Sequence, residues 1–100
     1  MYCVAFVTHK PGRVQAGSEL QNAYMEFLRN HPEHPDVVVH HAGPTLSDDS
    51  AAIVGLVLIA EAPSLEATRA FLADSPYGKG DVFADVQIRP WEWRTGRPGS

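Results

Sequence analysis

The run Ile53-Val54-Gly55-Leu56-Val57-Leu58-Ile59-Ala60, closed by Glu61, is the longest apolar stretch in the chain. It is far shorter than the roughly 20 residues that span a bilayer. It follows the polar stretch Ser47-Asp48-Asp49-Ser50 and reads as a strand over Ala51 to Glu61. A strand that is apolar at consecutive positions is covered on both faces. Helices of the same chain cover one face of a small sheet. The other face needs a different cover, and a second copy of the chain is the simplest one.

Upstream, Ser47 to Ser50 forms a hairpin loop, and Asp36 to His41 is the strand before it, broken by Ala42-Gly43-Pro44. Leu20, Ala23, Tyr24, Phe27, Leu28 and His31 fall on one stripe of a helix. Ser18 is its N-cap, Gln21 completes a capping box, and Pro32 ends it. Glu26, Arg29 and Asn30 take the solvent side. Tyr2 to Thr8 is the first strand, stopping at the turn His9-Lys10-Pro11-Gly12.

Downstream, Ser64 caps a second helix from Leu65 to about Asp74. Pro76 forces Ser75 out of helical geometry. Val82 to Arg89 alternates as a last strand, with Val82, Ala84, Val86 and Ile88 on one face and Phe83, Asp85, Gln87 and Arg89 on the other. The order βαββαβ is the ferredoxin-like α+β arrangement, a four-stranded antiparallel sheet with both helices on one face.

One hundred residues, 44% apolar and 20% charged, suit one globular domain. The first strand begins at once, with no basic segment or small-residue cleavage site before it, so it does not read as a signal peptide. Cys3 is the only cysteine, which excludes an intrachain disulfide and points to a reducing cytoplasm. A net charge of −4 argues against a nucleic-acid partner, and nothing suggests a membrane one. Residues 1–93 are expected to form the domain, and the Gly/Pro-rich stretch 94–100 a flexible, solvated tail.

Ala42-Gly43-Pro44 after a strand, Gly55 before Val57-Leu58-Ile59-Ala60-Glu61-Ala62, Ser75-Pro76-Tyr77 after the second helix, and the ending Asp85-Val86-Gln87-Ile88-Arg89-Pro90-Trp91 together resemble the YCII-related family. The resemblance covers about residues 1 to 93. It implies a dimeric α+β barrel, two sheets packed face to face, which agrees with the doubly apolar third strand. It also implies a catalytic His in the first helix, an Asp in the turn after the second, and an Arg one helical turn before the His. At those positions this chain carries Tyr24, Ser75 and Gln21. Tyr has an ordinary pKa near 10 and Ser is not acidic, so neither takes up protons well near pH 7. Both still form hydrogen bonds, and a neutral Tyr can donate to a developing oxyanion.

The other candidates are weaker. His41, at the end of the second strand, is the remaining proton carrier if it faces a cavity. His40 and His41 are adjacent on a strand and are expected to point to opposite sides. Five histidines invite a metal, but His31 and His34 are separated by Pro32, and no set of three or four converging ligands is apparent. Neither a metal nor a cofactor is expected. Trp91 and Trp93 share one side of an extended end, suited to sealing a subunit interface or stacking on an aromatic ligand. Asp48 and Asp49 read as a solvated hairpin tip.

Two function classes emerge. One is a homodimeric enzyme acting on a small cyclic molecule, aromatic or lactone-like by the resemblance, through lyase- or isomerase-type proton transfer. Its catalytic residues would be Tyr24, His41 and Ser75, and its ligand contacts Gln21, Tyr77 and Trp91. The alternative is a non-catalytic ligand-binding or accessory protein that kept the fold and lost the ionisable pair.

Overall fold

The computed structural model describes residues 1–99; Ser100, the end of the expected tail, lies outside the described residues. The elements run β1 (Tyr2–His9), α1 (Glu19–Arg29), β2 (Val38–Leu46), β3 (Ile53–Glu61), α2 (Leu65–Asp74), α3 (Pro76–Lys79) and β4 (Phe83–Pro90). The four strands form one antiparallel sheet in the order β2-β3-β1-β4. This is the ferredoxin-like α+β pattern, with α3 as a short addition.

Capping serines open both long helices. Ser18 Oγ accepts from the Gln21 amide at 3.2 Å, and Ser64 Oγ accepts from the Ala67 amide at 3.1 Å. The side chain of Gln21 reaches back to accept from the Gly17 amide, one residue earlier than a capping box requires. Along α1, Tyr24 is buried and Leu20, Phe27 and Leu28 are half-buried, whereas Ala23 is exposed.

The core lies between the helices and one face of the sheet. Cys3, Ala5 and Val7 of β1 meet Ala60, Leu58 and Leu56 of β3 in register, and all six are buried. Phe71 and Leu72 of α2 join this cluster, and Cys3 Sγ lies 3.1 Å from Thr68 Oγ1 of α2. The intervening residues Val4, Phe6, Val57 and Ile59 face away from the helices. Phe6 is 49% exposed there.

The sheet departs from simple strand alternation and from the expected end of β2. β2 does not break at Ala42-Gly43-Pro44 but pairs with β3 through Leu46. It is an edge strand, so Pro44 costs no ladder hydrogen bond on its solvent side. A register shift between Val39 and His41 makes His40 a bulge, so the two histidines do not point to opposite sides. Both rings lie about 5.5 Å from Trp93, at 5.5 and 5.6 Å. A second shift, at Thr8/His9, pairs His9 with Phe83 and brings Phe83 to the core side, out of the face expected from simple alternation.

Candidate functional site

A cleft of about 690 Å³ opens between α1 and the β2–β3 edge of the sheet, within the range of small-molecule sites. Tyr24 and Gln21 reach it from α1, Tyr77 from α3, and Gly55 and Leu56 form part of its floor. Most of the other lining is apolar.

Tyr24 is its most unusual side chain. The residue is 5% exposed, its ring is stacked on Tyr77, and its hydroxyl is buried with no hydrogen-bond partner in the protein. Burial, and secondarily the neighbouring Tyr77, raise the Tyr24 phenol well above its ordinary value of 10.0. Burial also raises Tyr77. Near neutral pH the Tyr24 group is therefore a protonated donor and not a base. Placed in a mostly apolar cleft, it suits a ligand oxygen.

His31 also lines the cleft, although both its nitrogens are already engaged. Nδ1 lies 2.9 Å from the Phe27 carbonyl oxygen and Nε2 2.9 Å from that of Val37, so the ring clamps the end of α1 to the approach to β2. Arg29 lines the cleft too, from a position that periodicity assigns to solvent. It is exposed and pairs with Glu26 at 3.6 Å.

The structure brings together Tyr24, Gln21 and Tyr77 and separates the other three sequence-derived candidates from them. Ser75 is fully buried behind the cleft; its hydroxyl donates to the Leu72 carbonyl at 2.6 Å and accepts from the Gly78 amide at 3.1 Å, capping α3. His41 and Trp91 lie at the far side of the sheet, where Trp91 stacks on Trp93 at 5.2 Å. Trp93 packs edge-on to Tyr2, and the Arg97 guanidinium sits over the Tyr2 ring. One His–Asp pair does exist, His34 Nε2 donating to Asp74 at 2.8 Å, but it does not line the cleft.

Among the described residues, no three His, Cys, Asp or Glu side chains converge as metal ligands, and no helix is long and apolar enough to cross a membrane.

Fold and cleft together define a small ferredoxin-like α+β protein with one aromatic-walled cavity against its first helix. The chain belongs to the YCII-related family, whose domain model matches residues 1–92. An uncharacterised protein of Haemophilus influenzae is 23% identical over 95 residues, covering 92% of this chain and 97% of that one. Among solved structures, the 5-chloro-2-hydroxyhydroquinone dehydrochlorinase of Burkholderia phenoliruptrix, in complex with 2,5-dihydroxybenzoquinone, is 26% identical with a TM-score of 0.72. That likeness covers 92% of this chain and 94% of the dehydrochlorinase.

Proposed function

We propose that this protein binds a small, oxygen-bearing ring molecule in the Tyr24–Tyr77 cleft, working as a homodimer that meets through the helix-free face of its sheet. The observation that carries the reading is Tyr24, whose buried hydroxyl has no partner in the protein and whose side chain belongs to the lining of a cavity of ligand size. Native folds rarely leave such a donor unused. The flat Tyr77 and apolar walls suit an aromatic or quinone-like ring, as does the structural likeness to a dehydrochlorinase solved with 2,5-dihydroxybenzoquinone. The dimer is supported by Phe6, Val57 and Ile59 on a face that no helix covers. The free, buried Cys3 fits a reducing compartment such as the cytoplasm.

In this reading Tyr24 donates to a carbonyl oxygen and stabilises negative charge that develops there, assisting a lyase- or isomerase-type proton transfer. A non-catalytic ligand-binding role is the second reading. It is favoured by the cleft lining itself, where the phenols remain protonated and His31 is committed to backbone carbonyls.

Calorimetric titration with 2,5-dihydroxybenzoquinone tests the proposal. The wild-type protein is expected to bind, and Tyr24→Phe to bind about five- to tenfold more weakly, the worth of one neutral hydrogen bond. Equal affinity in the two proteins would remove Tyr24 from the site, and no binding heat in either would count against the cleft.

A further inference from the structure

One buried titratable side chain outside the cleft has no hydrogen-bond partner. His9, the last residue of β1, is 5% exposed, and neither ring nitrogen has a hydrogen-bond partner. Its ring stands edge-on to Tyr77 at 5.2 Å and lies 6.1 Å from Phe83. Tyr77 is also the ring on which Tyr24 stacks. Among the described residues, the buried side-chain polar atoms without a partner are the two His9 nitrogens and the Tyr24 hydroxyl. All of them therefore belong to a single row of three rings, His9–Tyr77–Tyr24.

His9 lines a second hollow, about 630 Å³, under the loop that follows β1. Ile53, half-buried at the start of β3, is the one residue common to the linings of both hollows.

We propose that the two hollows are halves of one ligand site divided by the Ile53 side chain, with His9 as its second polar anchor opposite Tyr24. The inference rests on the reading of the Tyr24 cleft given above and extends it to a substrate class. Burial lowers the proton affinity of His9, so the ring is neutral near pH 7 and offers one N–H donor and one lone pair. A ring carrying a hydroxyl conjugated to a carbonyl is a vinylogous acid, ionised near pH 7, and it complements the pair: its oxyanion accepts from the His9 N–H and its carbonyl from Tyr24. Hydroxyquinones and cyclic hydroxyenones have that pattern. His9 thus supplies a second donor, where the Tyr24 cleft alone offers one.

Nuclear magnetic resonance of protein labelled with ¹⁵N in its histidine rings, titrated with 2,5-dihydroxybenzoquinone, separates the possibilities. The account expects the His9 ring nitrogens to shift with the same saturation curve as the Tyr24 and Tyr77 ring signals. It also expects His9→Phe to weaken binding about tenfold. Movement of the tyrosine signals with His9 unmoved would overturn the His9 anchor and leave the cleft reading standing. Silence from both sets would overturn both. The wild-type shifts decide the matter even if His9→Phe fails to fold.

Discussion

The Tyr24 ring lies flat on the Tyr77 ring, centroids 4.0 Å apart and planes within 5° of parallel. The contact ties α1 to α3 across the floor of the cleft, and it leaves the Tyr24 hydroxyl buried beside an apolar cavity. Stacking and burial stabilise the rings, while the unpartnered hydroxyl works against them.

That opposition gives the first prediction. Tyr24→Phe keeps the stacked ring and removes only the unsatisfied hydroxyl, whose desolvation costs on the order of 1 kcal/mol or more. The variant is expected to unfold later than wild type, by about 1 kcal/mol in urea denaturation, while binding the quinone less well. A fall in stability would show that the hydroxyl has a structural partner.

Ser75 is predicted to behave in the opposite way. Its hydroxyl caps α3 and is fully buried, so Ser75→Ala should cost about 1 kcal/mol, the usual worth of a helix cap. Because Ser75 does not line the cleft, ligand affinity measured calorimetrically should stay within about twofold of wild type.

His9 sets a pH dependence. Burial lowers its pKa from the ordinary 6.5, so below that value the unfolded chain binds a proton that the folded chain resists. Stability from this group is complete above 6.5 and falls as pH drops below it. Tyr77 and Phe83 face the ring without charge, and the neighbouring Lys10 ammonium is engaged by Asp81 at 2.7 Å. Urea midpoints compared between about pH 7.5 and about pH 5 should fall more steeply in wild type than in His9→Phe. Parallel slopes would mean that His9 is protonated equally in both states.

The subunit arrangement is testable by light scattering during gel filtration. Wild type is expected at twice the 10.9 kDa chain mass. Phe6→Glu with Val57→Glu places two carboxylates on the helix-free face and should yield a folded monomer, read from mass together with circular dichroism. A wild-type monomer at micromolar concentration would remove the dimer.

Much of this architecture is written locally. The greasy strand before Glu61, the capping hydroxyls of Ser18 and Ser64, and the stop at Pro32 act through neighbours a few residues away, so their chemistry is visible along the chain. The bulges are not. His40 is left out of the pairing with β3, and Phe83 pairs with His9 across a register shift; both depend on a partner strand distant in sequence. Pro44 looks like a breaker until β2 is known to be an edge strand. Within the candidate site, Tyr24, Gln21 and Tyr77 stand out as hydrogen-bonding groups beside the first helix and after the second. His9 does not, because a histidine before Lys10-Pro11-Gly12 looks like the start of a turn. Its two idle nitrogens become apparent only when the packing around them is known.

The most direct measurement is a crystal structure of the protein grown with 2,5-dihydroxybenzoquinone. The account predicts the ring seated against Tyr77 in the α1 cleft, with one oxygen within about 3 Å of the Tyr24 hydroxyl. A ligand bound elsewhere, or a cleft closed by the protein's own side chains while the quinone binds in solution, would contradict it.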